Sequence, residues 1–148
     1  MNIRFNYRSV DPEAFRTMLK LEDYLGKSGL DDNLKELIKI RASQINGCAF
    51  CLDMHTKDLR KMGESEERIY LLSAWREAPF YTDKERAVLE LTEAVTLISQ
   101  NGVSDAVYQN VRKHVDEVEY VALIMAINTI NSWNRIAIST GMFPGCLG

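Results

Sequence analysis

Cys48, Cys51 and His55 stand close together in the segment INGCAFCLDMHTK, and their side chains are of types that do redox chemistry. Two thiols separated by two residues can close a disulfide, and an imidazole four residues further on can handle their protons. On a helix that begins near Cys48, the three side chains fall within an arc of about 60°, so we expect them to share one exposed edge. The spacing therefore predicts a redox-active dithiol with its own proton carrier.

The two thiols differ in what such a helix places around them. The first turn presents unpaired N–H groups and the positive end of the helix dipole, which favours a thiolate at Cys48. His55 lies about 6 Å further along the axis than Cys51, and its side chain leans back towards the N-terminus, which favours a thiolate at Cys51. Both assignments stay open, with Cys51 preferred as the attacking residue.

Glu36 completes the pattern Glu-x11-Cys-x2-Cys-x3-His. If the helices on either side of Gly47 pack as an antiparallel hairpin, Glu36 lies about 16 Å back from the turn and His55 about 12 Å forward. These positions are within one helical turn of each other. A carboxylate there can orient the imidazole and hold its proton, as the third member of a nucleophile–base chain does.

The same residues allow two other interpretations. Cys48, Cys51 and His55 are zinc-ligand types, with Glu36 or water as the fourth ligand. Three ligands on one helical face suit a tetrahedral structural site poorly, and the chain has no second Cys-x2-Cys. A pair of core thiols without chemistry is the plainest alternative. Cys146, in the tail FPGCLG, is expected to be a free thiol without a role.

Capping residues and helical periods account for most of the chain. We expect helices over residues 12–25, from 31 or 32 to 45, over 48–62, 65–75 and 82–98, from 104, and over 117–140. Gly26 is expected to end the first of them, and Thr82-Asp83-Lys84-Glu85 is a capping box that starts the fifth. No segment alternates polar and apolar residues between turn signals, as a strand would. The sequence therefore predicts an all-α fold in which residues 1–148 form a single domain. About six to seven helices make up the bundle, with the cysteine pair at the N-terminus of a central helix.

The last predicted helix contains the run YVALIMAI at residues 120–127, which is apolar on every side. The run is too short to span a bilayer and is soon followed by asparagines. A surface helix of a small monomer should carry a polar face. We therefore expect the run to pass through the middle of the bundle and to reach a subunit interface, which predicts a homo-oligomer.

The composition argues against several classes of function. The 148 residues are 46% hydrophobic and 26% charged, as in ordinary globular domains. A formal net charge of −3 argues against nucleic acid or an anionic membrane as the partner. The N-terminal MNIRFNYRSVDPEAF carries charges where a signal peptide has its apolar core. Three cysteines do not form a secreted disulfide framework, so we expect a cytoplasmic protein.

The segments that carry these residues resemble a known family. Residues 34 to about 63, centred on INGCAFCLDMHTK, closely resemble the alkylhydroperoxidase D-like branch of the carboxymuconolactone decarboxylase family, as do SAWREAPFYTDKERAVLELTEAVT and INTINSWNRIAIST. The resemblance covers most of the chain, and its glutamate–cysteine–cysteine–histidine pattern is specific to redox-active members. The best-known members carry histidine directly before the second cysteine, where this chain has Phe50. The decarboxylases lack the cysteine pair, so decarboxylation is not expected.

The resemblance implies an all-helical homo-oligomer, a trimer or hexamer, with Glu36 and His55 as the proton relay and Cys48 and Cys51 as the redox pair. It implies a thiol-dependent peroxide reductase, in which a thiolate attacks the O–O bond of a small hydroperoxide and the second thiol closes the disulfide. An external dithiol or thiol-reductase protein then restores the thiols. No flavin, haem or nucleotide motif is visible, so no cofactor is expected. The redox alternative is a disulfide reductase or adaptor for a separate peroxidase.

Overall fold

Ten helices and no strand make up the computed structural model, which describes residues 1–148 and confirms the all-α prediction. The nine α-helices are α1 Tyr7–Val10, α2 Pro12–Lys27, α3 Asp32–Asn46, α4 Ala49–Lys61, α5 Glu66–Tyr70, α6 Asp83–Thr96, α7 Ile98–Asn101, α8 Asp105–Arg112 and α9 Glu117–Thr140. A 3₁₀ helix, Leu72–Glu77, lies between α5 and α6.

Side-chain caps set where the longer helices begin. Asp11 accepts a hydrogen bond from the backbone N–H of Ala14, and Pro12 occupies the first turn of α2. Asp31 caps α3 in the same way. At the start of α6, the capping box predicted by the sequence is present. The side chain of Thr82 accepts from the backbone N–H of Glu85, and the side chain of Glu85 accepts from the backbone N–H of Thr82. Short polar side chains therefore fix the helix starts at the predicted places.

Gly26 does not end the helix that begins at Pro12, contrary to the prediction from the sequence. Glycine can adopt helical dihedral angles at a cost of about 1 kcal/mol relative to alanine, and α2 continues to Lys27. The chain leaves the helix after Ser28, and Gly29 then has a φ of 80°. The left-handed glycine that follows α2 is therefore Gly29 and not Gly26.

Two further predicted helices are interrupted. The helix predicted over 65–75 divides into α5 and the 3₁₀ helix, because Leu71 between them has φ −90° and ψ 3°. The helix predicted over 82–98 ends at Thr96, and Leu97, with φ −102° and ψ 37°, separates it from α7. The sequence does not predict α1, since a single turn is too short to show a helical period. These short elements explain why ten helices are present where about six to seven are expected.

α3 lies at the centre of the bundle and packs against α4, α6 and α9. Its residues Leu37, Ile38 and Ile40 have no exposed surface. A larger hydrophobic cluster joins α3 to α4, α6, α8 and α9, and it includes Cys48 and Cys51. A smaller cluster joins α3 to the 3₁₀ helix. The cysteine pair therefore sits where the central helix meets its neighbours.

α9 passes through the bundle, as its apolar run predicts, and is buried there at Ala122, Leu123, Ala126 and Ile127. The same helix also leaves apolar surface open, because Val118 is 77% exposed and Val121 is 53% exposed. No helix combines the length and the apolar character that crossing a membrane requires.

Glu93 on α6 ties three elements together. Its carboxylate accepts hydrogen bonds from the indole Nε1 of Trp75 and the guanidinium of Arg76, both at 2.8 Å, and lies 3.5 Å from the guanidinium of Arg41 on α3. Burial acts to raise the pKa of Glu93, but the hydrogen bonds from Arg76 and Trp75, together with the positive charges of Arg41 and Arg76, outweigh it and lower the pKa. The folded state therefore holds this carboxyl group ionised more firmly than the unfolded chain does.

Because folding lowers the pKa of Glu93, its stabilising contribution is complete above the ordinary carboxyl pKa and is lost as the pH falls through the lowered one. We expect Glu93→Gln to reduce the free energy of unfolding by about 1–3 kcal/mol at neutral pH. The difference in the free energy of unfolding between wild type and Glu93→Gln should become smaller as the pH falls from roughly 5 to roughly 3. Urea titrations at several pH values measure both effects, with Glu90→Gln on the same helix as the control. If the difference in unfolding free energy stays constant over this pH range, the lowered pKa of Glu93 does not contribute to stability.

Candidate active site

The turn between α3 and α4 places the cysteine pair. Gly47 ends α3 with φ 70° and ψ 35°, a left-handed conformation that glycine adopts without strain. The backbone N–H of Cys48 donates to the carbonyl of Ser43 at 3.0 Å, which closes the end of the helix. Cys48 then caps the start of α4. The reversal takes only two residues, so α3 and α4 pack directly against each other as the predicted hairpin.

Buried amide side chains fasten this turn to α9. The Nδ2 of Asn46 donates to the Oδ1 atoms of Asn131 and Asn134, both at 2.9 Å. Asn134 donates in turn to the hydroxyl of Ser43 at 2.9 Å, and Asn131 to the hydroxyl of Thr96 at 3.0 Å. The network satisfies polar groups that would otherwise be costly to bury. The only sequence signal for it is that polar residues follow the apolar run of α9.

Cys48 and Cys51 are joined in a disulfide, with their Cα atoms 5.4 Å apart. The backbone N–H of Cys51 donates to the Sγ of Cys48 at 3.4 Å. Cys48 is 1% exposed and Cys51 is 2% exposed, so the expectation of an exposed edge is wrong. The pair is covered because the hairpin turns it towards the core rather than towards solvent.

Glu36 and His55 meet across the hairpin, as the distances from the turn predict. The Nδ1 of His55 lies 2.9 Å from the Oε2 of Glu36, and both side chains are largely buried. An ionised carboxylate only accepts hydrogen bonds, so Nδ1 carries the hydrogen of this pair. The other ring nitrogen, Nε2, is then the one that can take or give a proton.

A cavity of about 300 Å³ adjoins these residues. Cys51, His55 and Glu36 line it, whereas Cys48 does not. Most of the other lining residues are apolar, among them Phe15, Leu19, Phe50, Met54, Trp133 and Met142, and the rest include the charged side chains of Arg8, Glu22, Lys39 and Asp58. Cys51 is therefore the sulfur that meets a molecule entering the cavity.

Three helices distant in sequence complete the cavity wall: α1, α2 and α9. Glu22 on α2 accepts hydrogen bonds from the Nζ of Lys39 at 2.8 Å and from the Nε1 of Trp133 at 2.9 Å. This pairing holds the indole ring of Trp133 in the wall. The sequence pattern around the cysteines does not predict these residues, because only the packing of the bundle brings them to the site. Phe50, in place of the family's histidine, adds to the apolar wall.

One group of metal-ligand side chains comes together at the site. Oxygen and nitrogen atoms of Glu36, His55 and Asp58 lie within 4.8 Å of one another. This trio differs from the zinc set that the sequence suggests, which includes the two thiols. The zinc alternative stays a prediction.

One protein family and two individual proteins are similar in sequence to this chain. The model of the carboxymuconolactone decarboxylase family matches residues 12–94, which contain the four predicted site residues. YdfG, an uncharacterised protein of Bacillus subtilis, is 52% identical over 141 residues, or 95% of this chain and 96% of YdfG. The alkyl hydroperoxide reductase AhpD of Bradyrhizobium diazoefficiens is 38% identical over 69 residues, or 45% of this chain and 37% of that protein.

A solved structure shares the whole fold. It is the crystal structure of an Agrobacterium tumefaciens protein of unknown function, provisionally described as an antioxidant defence protein AhpD. The two chains superpose with a TM-score of 0.93 at 46% identity, over 97% of this chain and 99% of the other. The similarity therefore extends over the full helical bundle.

The left-handed turn before the cysteines can be tested by adding one methyl group. A Cβ on Gly47 meets no atom within 4 Å, so Gly47→Ala acts through the backbone alone. We expect it to lower the free energy of unfolding by about 1–2 kcal/mol, measured by urea titration. Gly26→Ala is the matched control, because this glycine is helical and also has open space around it. It should be stabilising by about 0.5–1 kcal/mol, and equal effects of the two variants contradict the interpretation.

Proposed function

Because the chain belongs to the carboxymuconolactone decarboxylase family, we propose that it is a thiol-dependent peroxide reductase of the alkylhydroperoxidase D-like branch. Glu36, Cys48, Cys51 and His55 are its catalytic residues in this proposal. The observation that carries it is the arrangement at the cavity, where one sulfur of a disulfide-forming pair and a carboxylate-held imidazole line the same largely apolar cavity. An apolar cavity of this size suits a small organic hydroperoxide.

In the first step, the thiolate of Cys51 attacks one oxygen of the hydroperoxide, and the O–O bond breaks. The thiolate arises when Nε2 of His55 takes the proton of the Cys51 thiol. As Cys51 becomes a sulfenic acid, Nε2 passes this proton to the departing alkoxide, which leaves as an alcohol. Glu36 holds Nδ1 and so keeps the imidazole in the required tautomer and orientation. Cys51 takes the attacking role because it lines the cavity and Cys48 does not.

In the second step, the thiolate of Cys48 attacks the sulfenic sulfur, and the disulfide forms. The hydroxide that leaves takes up the proton that the Cys48 thiol has released and departs as water. Cys48 suits this role because it caps α4, where its sulfur accepts the N–H of Cys51 and faces the positive end of the helix dipole. The two sulfurs therefore have separate tasks that follow from their places on the helix.

The cycle closes when an external dithiol or a thiol-reductase protein reduces the disulfide by thiol–disulfide exchange. No bound cofactor is needed for these steps. We place the protein in the reducing cytoplasm, where such donors keep the pair cycling. We also propose a homo-oligomer, a trimer or hexamer, in which a second copy covers exposed residues of α9 such as Val118 and Val121.

The alternative, a disulfide reductase or adaptor for a separate peroxidase, uses the same cysteine pair. Both sulfurs are buried, and the cavity that reaches Cys51 has the size of a small-molecule site. These two features favour a small peroxide over a protein disulfide as the oxidant.

The assignment of the sulfurs is tested with single serine variants. We expect Cys51→Ser and Cys48→Ser each to lower steady-state hydroperoxide consumption with a dithiol donor by about 100-fold or more. In Cys48→Ser, one equivalent of peroxide should leave a sulfenic acid on Cys51, detected by mass spectrometry after trapping. Cys146→Ser, which removes the thiol outside the pair, is the control. Full turnover in both pair variants contradicts the proposed function, and a sulfenic acid found at Cys48 in Cys51→Ser reverses the two roles.

The role of the carboxylate is tested separately. Glu36→Gln removes the charge but keeps an oxygen that can accept from His55, so the fold should be preserved. We expect kcat/KM for a hydroperoxide to fall about 100-fold, in the range typical of lost proton transfer. Asp53→Asn removes a carboxylate from the same hairpin, where it pairs only with Lys57, and should leave the rate unchanged. If Glu36→Gln keeps the wild-type kcat/KM, His55 transfers its proton without the negative charge of Glu36.

A further inference from the structure

The charged groups on the cavity wall are not all neutralised. Glu22 is paired with Lys39, and Glu36 with His55. Arg8 also lines the cavity, yet its guanidinium forms no ion pair with a carboxylate of the structure, and its buried Nε has no hydrogen-bond partner. A cation at an apolar cavity without a counter-ion is costly unless a ligand supplies one.

A second unpartnered polar group belongs to the same cavity wall. Tyr7 lines the same cavity and is 7% exposed, and its hydroxyl is buried without any hydrogen-bond partner. Both side chains are held in place by Phe15 on α2. The guanidinium carbon of Arg8 lies 4.6 Å from the centre of the Phe15 ring, and the ring of Tyr7 packs edge-on against it with the centroids 6.0 Å apart.

The backbone that carries the two side chains is fixed as well. The side chain of Asn6 caps α1 by accepting from the N–H of Arg8 at 3.1 Å. The preceding segment is attached to the end of α9, where the N–H of Arg4 donates to the carbonyl of Thr140 at 2.9 Å. Arg8 and Tyr7 therefore occupy a built wall of the cavity, in which the Nε of Arg8 and the hydroxyl of Tyr7 are buried without partners.

We propose that the substrate is the hydroperoxide of a small carboxylic acid. Its carboxylate pairs with the guanidinium of Arg8 and accepts from the hydroxyl of Tyr7, while the apolar walls cover the carbon chain. Its hydroperoxide group reaches Cys51 and is reduced to a hydroxyl group, with water as the second product and the disulfide taking up the oxidation. This specificity rests on the peroxide reductase function proposed above.

The other charges of the cavity favour this orientation. Glu36 and Asp58 are negative and stand beside His55, so an acid group is disfavoured at that end. Arg8 is the cation that remains free on the wall, since Lys39 already pairs with Glu22. Electrostatics therefore directs the carboxylate towards Arg8 and leaves the uncharged hydroperoxide next to Cys51.

The test compares a medium-chain hydroperoxy acid with its methyl ester, which has the same reactive group and no negative charge. Wild type should show a kcat/KM for the acid at least about tenfold above that for the ester, the range expected of one charge-assisted hydrogen bond. Arg8→Gln should bring the acid-to-ester ratio close to one, and Tyr7→Phe should lower it. Arg16→Gln makes the same charge change on an exposed residue away from the cavity, and should keep the wild-type ratio.

A binding measurement separates this proposal from the peroxidase function itself. Calorimetric titration with the hydroxy acid, the unreactive product, should show binding to wild type and at least about tenfold weaker binding to Arg8→Gln. If neither hydroperoxide is turned over but the hydroxy acid binds through Arg8, the peroxide reductase function fails and the acid site stands. If wild type treats acid and ester alike in turnover and in binding, or if Arg16→Gln loses as much preference as Arg8→Gln, the acid site is wrong.

Discussion

The hydrogen bonds that fix the turn between α3 and α4 are the constraint on which the site depends. Asn46 reaches across to Asn131 and Asn134, and Gly47 reverses the chain in a left-handed conformation. This fixed reversal sets the register of the two helices. The same register brings Glu36 to His55 and puts Cys48 at the start of α4. A loose turn would let the helices slide, and all four groups would lose their mutual positions.

The hairpin and its reactive residues were predictable because their geometry is local. Distances along two helices from one turn are enough to pair Glu36 with His55, and the spacing of two cysteines on one helix is enough to join them. The fold class was predictable for a similar reason, since caps such as Asp11 and Thr82 act within one turn. These features need no knowledge of how distant segments pack.

The cavity and the burial of the sulfurs could not be derived in this way. Tyr7, Glu22 and Trp133 come from three separate helices, and only tertiary packing brings them to Cys51. The sequence predicts that the helical face of the cysteines is exposed, because the residues of α9 that cover it lie about 80 positions further along the chain. The prediction that α2 ends at Gly26 was wrong for another reason. Glycine weakens an isolated helix, but tertiary packing keeps α2 helical through this residue.

The attachment of Arg4 to Thr140 has a practical consequence for work on this protein. It makes neighbours of the first residues and the last turn of α9, and the segments next to both, around Tyr7 and Met142, form part of the cavity wall. An affinity tag fused ahead of the short N-terminal segment, or after the segment that follows Met142, would therefore be attached only a few residues away from the cavity wall. Kinetic comparisons between preparations are meaningful only when the fusion peptide has been removed from each of them.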